Sequence, residues 1–135
     1  MPGRYQPEDP REWLNRARSN LELAKNSSSS DIYFEDLCYN AQQAAEKAIK
    51  AVFIHNHIPY PLVHDLAALI TILINNHVDV PDRVRQSARL TRFAVATRYP
   101  SILAPVNEEE FRRAVHLAEE VVRWSERTVV MPGTE

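Results

Sequence analysis

The sequence predicts an all-α bundle, and three observations predict it. Only two of the 135 residues are glycine, too few for a β-rich or loop-rich chain. Residues 31–56 contain neither Gly nor Pro and are dense in Ala, Glu, Lys and Gln, the residues that lose least freedom on entering a helix. The prolines and the Asp and Asn residues elsewhere fall at intervals that cut the chain into helix-length segments.

Residues 1–8, with two prolines and a glycine, read as a flexible arm. Helix one opens on Asp9 as N-cap, with Pro10 at the first helical position and Glu12 completing a capping-box pattern. Trp13, Leu14, Ala17, Leu21 and Ala24 form its apolar stripe to about Lys25. The serine run 27–30, ending at Asp31, is a tight link carrying a cap.

The central helix spans 31–56. Ile32, Leu37, Cys38, Ala41, Ala44, Ala45, Ala48, Ile49, Val52 and Phe53 recur at three- and four-residue steps and share one broad face. The alanines thin the middle of that face, so neighbouring helices can approach closely. Pro59 and Pro61 then forbid a helix and impose an extended crossing. His64 and Asp65 introduce helix three, with Leu66, Leu69, Ile70, Leu73 and Ile74 apolar, closed by Asn75, Asn76 and His77. Pro81 opens a fourth helix through Arg92 or further, with Val84, Ala88, Leu90, Thr91 and Val95 on or near its buried side. Tyr99 and Pro100 break it, and 101–106 link onward. Asn107 and Glu110 form a second capping box, starting a last helix on which Phe111, Ala114, Val115, Ala118, Val121, Val122 and Ser125 keep the period to about Thr128. Residues 129–135 are expected to fray. One five-helix domain over 9–128 results.

Composition narrows the function. A net charge of -2 argues against a general electrostatic affinity for nucleic acid, leaving room for a local basic patch. Cys38 is the single cysteine, so neither an internal disulfide nor a Cys-based zinc site can form. No stretch resembles a secretion signal or reaches the length of a membrane span, so the expected compartment is the cytoplasm, with no membrane association. No Gly-rich phosphate loop, hydrolase ordering or Gly-Ser pair typical of nucleotidyltransferases is present, and no cofactor is expected.

The run from Tyr39 through Asn40, Ala41, Gln42, Gln43, Ala44, Ala45, Glu46, Lys47, Ala48, Ile49 and Lys50 to Ala51 resembles the long second helix of the HEPN domain family. The resemblance continues through the Pro-containing link and His64-Asp65-Leu66, resumes at Thr97-Arg98-Tyr99-Pro100, and takes in Trp13, Leu14 and Ala17. It covers nearly the whole chain. It implies an up-and-down bundle of four main helices plus a short one, commonly paired as a homodimer. It also implies RNA cleavage, or association with a small nucleotidyltransferase in toxin–antitoxin-like or defence pairs.

RNA-cleaving members of the family resemble one another in an Arg followed, after four to six residues, by a His. Metal-free RNA cleavage needs a base, an acid and a cation on the phosphate, which such a pair, doubled by a dimer, supplies. This sequence departs from the pattern. Arg98 is followed by Tyr99, Pro100, Ser101, Ile102, Leu103 and Ala104 without a His, and the nearest later pair is Arg112 and His116, with three residues between. One helical turn apart, those two share a face.

The five histidines have plainer readings than a metal site. His55 and His57 sit at a helix end, His64 caps or buttresses helix three through Asp65, and His77 suits the negative end of a helix dipole. Arg85, Arg89 and Arg92, at four- and three-residue steps, align on one face either to grip phosphate or to pair with carboxylates such as Glu108, Glu109 and Glu110. Arg98 beside Tyr99 suits a phosphate or nucleobase; the alternative is that Tyr99 packs and Arg98 pairs with a carboxylate.

The reading is therefore a non-catalytic homodimeric module for a separately encoded minimal nucleotidyltransferase, contacting nucleotide or RNA through Arg98, Tyr99, Arg92 and Arg89. A homodimer also gives the apolar faces of the third and last helices somewhere to bury. The alternative is a divergent metal-independent ribonuclease using Arg98 or Arg112 with His116.

Overall fold

The computed structural model describes residues 1–96 and 105–129. Among these every regular element is helical: α1 (Pro10–Lys25), α2 (Phe34–His55), α3 (Leu66–Asn75), α4 (Asp82–Arg85), a 3-10 segment (Gln86–Arg92), α5 (Phe93–Ala96) and α6 (Glu108–Val129).

Three long helices build the core, and their side-chain pairings fix the topology. Trp13 meets Lys50 and Asn20 meets Lys47, so α1 and α2 are antiparallel. Arg18 pairs with Glu126 and Lys25 with Glu119, so α1 and α6 are antiparallel as well. α2 and α6 must then run parallel. Phe34 stacks on Phe111 at 4.9 Å between ring centroids, and Ser125 Oγ donates to the Ala48 carbonyl at 2.8 Å, two pairs with one constant offset in sequence. The result is the expected up-and-down bundle.

The apolar face read for the central helix is buried as written from Leu37 to Phe53. Its first helical residue is Phe34 rather than Asp31: Ile32 N–H turns back to the Ser29 carbonyl, and Tyr33 is the N-cap, its carbonyl accepting from Asp36 and Leu37 N–H. Gln42 is also fully buried on α2, its amide donating to Glu46 Oε1 at 2.8 Å and its carbonyl accepting from Gln43 at 2.7 Å. Trp124 joins the core from α6. Cys38 is buried there too, and desolvation pushes its thiol up to about 12.

Asp9 caps α1 through the Arg11 N–H at 2.9 Å, but the reciprocal half of that capping box is not made. Asp9 N–H turns back to the Gln6 carbonyl, and Glu12 accepts instead from Tyr5 N–H at 2.9 Å and Arg16 at 2.7 Å. Asn15 and Trp13 donate to the carbonyls of Gly3 and Pro7, so residues 1–8 are hydrogen-bonded along α1. The second capping box is complete: Glu110 N–H donates to Asn107 Oδ1 at 2.8 Å, and Asn107 N–H to Glu110 Oε1 at 3.4 Å. On α3, Asp65 is the cap, and Ile74 is exposed although its place in the apolar run predicts burial.

His57 and His77 occupy the left-handed backbone region, at φ 57° and 66°. Each stands just past a helix and ends it in the same way. Ile58 N–H returns to the Phe53 carbonyl and His57 N–H to Ile54, while Val78 N–H returns to Leu73 and His77 N–H to Ile74. These are Schellman closures, whose left-handed position glycine fills most cheaply. His57→Gly and His77→Gly are each expected to stabilise the domain by about 1 kcal/mol. Chemical denaturation of the two variants checks this, and a loss of stability in both would contradict it.

The fourth helix departs from expectation. Instead of a continuous α-helix from Pro81, one α-turn passes into seven residues of 3-10 helix. Val84, Ser87, Leu90 and Phe93 are all buried, a spacing of three that matches 3.0 residues per turn. Ser87 Oγ bonds back to the Val84 carbonyl, which competes with the α-helical ladder. Thr91 Oγ1 accepts the Leu66 N–H at 3.0 Å, pinning the segment to the start of α3. Ala88 and Thr91 are accordingly only half-buried.

Candidate functional site

A cleft of about 360 Å³ opens between the 3-10 segment, α5 and α6, lined by Arg89, Leu90, Arg92, Phe93, Glu110, Arg113, Ala114 and Leu117. The 3-10 geometry determines which arginines reach it. Residues three apart eclipse in such a helix, so Arg89 and Arg92 share a row, whereas Arg85 falls about a third of a turn away. The face expected to carry Arg85, Arg89 and Arg92 together is therefore split. Arg85 instead donates to the Val80 carbonyl at 2.9 Å.

Arg92 Nη2 lies 2.9 Å from Glu110 Oε2, and its guanidinium stands 4.6 Å from the Phe93 ring centroid. The Arg92 hydrogen bond, helped by the Asn107 N–H, holds the Glu110 carboxyl below its ordinary range. Arg113 pairs along α6 with Glu109 at 3.2 Å. Arg89 has no ion-pair partner among the described residues. The cleft thus combines three guanidinium groups, one carboxylate and an apolar floor. The Arg92–Glu110 pair is exposed and screened by solvent, so an incoming phosphate can exchange for Glu110. Arg98 and Tyr99 lie outside the described residues.

Arg112 and His116 are both exposed on α6, and their partners lie on opposite sides of the pair along the helix. Arg112 bonds to Glu108, one turn back, while His116 Nε2 stands 3.8 Å from Glu120, one turn on. Glu120 also takes Arg83 at 3.1 Å. His64 meets Glu46 on α2, with Nδ1 2.9 Å from Oε2, rather than acting through Asp65. Among the described residues no three His, Cys, Asp or Glu side chains are grouped to hold a metal ion, and no helix is long and apolar enough to cross a membrane.

Residues 10–128 match the family model described as HEPN domain, and the chain belongs to that family. Its fold agrees with two solved structures. TT1696 from Thermus thermophilus is 30% identical with a TM-score of 0.76, the alignment covering 88% of this chain and 97% of that one. ST0689, an archaeal HEPN homologue, is 24% identical with a TM-score of 0.72, covering 90% and 98% respectively, a likeness of fold. No curated protein matches the chain.

Proposed function

We propose that this chain is a non-catalytic HEPN module that works as a homodimer and binds a separately encoded minimal nucleotidyltransferase, in a toxin–antitoxin-like or defence pair. Its contact with nucleotide or RNA is the cleft of Arg89, Arg92 and Phe93, together with Arg98 and Tyr99. The observation that carries this reading is that the chain keeps the HEPN domain while lacking the Arg–His spacing of the RNA-cleaving members. Arg98 has no histidine four to six residues beyond it.

The cleft has the chemistry of a contact site. Guanidinium groups bind phosphate through paired hydrogen bonds, and the partly exposed Leu117 adds apolar surface beside them. Arg89 and Arg92 are exposed, so removing them leaves the core intact.

Co-expression with a minimal nucleotidyltransferase tests the proposal. It predicts a complex that persists at micromolar concentration and contains two copies of this chain by light scattering. It also predicts that Arg89→Ala with Arg92→Ala weakens nucleotide or RNA binding by about tenfold or more without changing the unfolding midpoint. A monomer that forms no such complex would refute it.

A further inference from the structure

An anion entering the arginine cleft meets one that is already there. Glu110 stands in the first turn of α6, and its Oε2 takes Arg92 Nη2 at 2.9 Å. Its other oxygen, Oε1, accepts the Asn107 N–H at 3.4 Å, the longer of the two bonds of the capping box. One carboxylate thus meets two demands, a cap at the start of α6 and a counter-ion across the cleft. The Arg92 hydrogen bond, then the Asn107 N–H and the charges of Arg92 and Arg113, keep its carboxyl below the ordinary range. It therefore carries a full negative charge at neutral pH.

The other two carboxylates of that turn are placed differently. Glu108 bonds to Arg112 and Glu109 to Arg113, each one turn along α6, and neither lines the cleft. Of the three, Glu110 alone pairs across to the 3-10 segment. A guanidinium receives a phosphate oxygen as it receives a carboxylate oxygen, by charge-assisted N–H bonds. A phosphate reaching Arg92 therefore displaces Glu110 Oε2. The displaced carboxylate keeps its bond to the Asn107 N–H, so it stays beside the cleft and repels the phosphate that replaced it.

We propose that Glu110 is an internal competitor, its carboxylate occupying the phosphate position on Arg92 in the unliganded chain and weakening every phosphate ligand of the cleft. This rests on the assignment of the cleft as the nucleotide or RNA contact. Glu110 then sets the ligand concentration at which the module responds. The terminal phosphate of a nucleotide and a backbone phosphate of RNA compete with it through the same oxygen chemistry.

Calorimetric titration of the full chain with AMP, and with a short RNA oligonucleotide bearing hydroxyls at both ends, tests this in Glu110→Gln and Glu108→Gln. Glutamine keeps an oxygen for the Asn107 N–H and suits a capping box as glutamate does, so the unfolding midpoint stays near that of the parent. Glu108→Gln makes the same change of charge on the same turn but frees Arg112, which does not line the cleft. The expected result is binding about fivefold or more tighter in Glu110→Gln than in the parent, against less than about twofold in Glu108→Gln. Tightening for AMP assigns the contested position to a terminal phosphate, and tightening for the oligonucleotide alone assigns it to a backbone phosphate. Binding that Arg89→Ala/Arg92→Ala abolishes, but that Glu110→Gln leaves unchanged or weakens, overturns the competition and leaves the cleft as the contact site. No saturable binding in the parent and in Glu110→Gln alike overturns the assignment of the cleft itself, and the competition with it.

Discussion

Phe53→Ala is expected to destabilise the domain by about 3–5 kcal/mol, a large share of the roughly 5–15 kcal/mol that holds a domain together. Phe53 heads the fully buried side chains by volume. Its ring meets Tyr60 edge-on at 5.1 Å between centroids, which fastens the crossing segment to α2. Its carbonyl accepts the Ile58 N–H that closes the helix. Truncation therefore opens a cavity under the crossing segment, which has no helix of its own. Urea unfolding measures the change, and a loss under about 1 kcal/mol would mean that the crossing does not depend on this ring.

Ala48→Leu is expected to cost about 1–3 kcal/mol by the opposite route. Leucine and alanine are both strong helix formers, so the substitution leaves the preference of α2 nearly unchanged. What changes is the spacing. Ser125 on α6 reaches the Ala48 backbone carbonyl at 2.8 Å, so α6 lies against the bare helix at that point. Ala41, Ala44 and Ala45 are likewise fully buried. A leucine there must push α6 outward and break the Ser125 hydrogen bond, leaving a buried hydroxyl unpaired. Unaltered stability in Ala48→Leu would show that the thin face of α2 does not set the distance between the helices.

Where one physical signal dominates, the sequence could be read directly. The buried face of α2 follows from a regular apolar period, and the complete capping box at Asn107 and Glu110 from two side chains that need only each other. Reading failed where a second demand intervened. Glu12 has the spacing of a capping residue, but the chain of residues 1–8 lies within its reach and takes the carboxylate. His64 stands next to Asp65 in sequence, yet its partner Glu46 lies on another helix, a contact that only folding creates. The helix ends at His57 and His77 lack the glycine that usually announces such closures.

The arginine cleft was half legible for the same reason. Arg89 and Arg92 were visible as a basic pair, and pairing with a glutamate near Asn107 was one of two readings; Arg92 with Glu110 realises it. The grouping with Arg85 assumed about 3.6 residues per turn. The spacing of Val84, Ser87, Leu90 and Phe93, uniformly three, was the signal for the tighter helix. Neither Phe93 as part of the cleft nor the contribution of Arg113 from α6 follows from the local pattern, because both depend on how α6 packs against the 3-10 segment.

The central claim is that this HEPN chain works by contact rather than by cutting RNA. Incubation of the purified protein with RNA in EDTA tests it most directly, with Arg98→Ala, Arg112→Ala and His116→Ala alongside. The account predicts intact RNA with all four proteins while the parent still forms its complex with the nucleotidyltransferase. Cleavage by the parent that disappears in folded Arg112→Ala, His116→Ala or Arg98→Ala would contradict it and make the chain a ribonuclease.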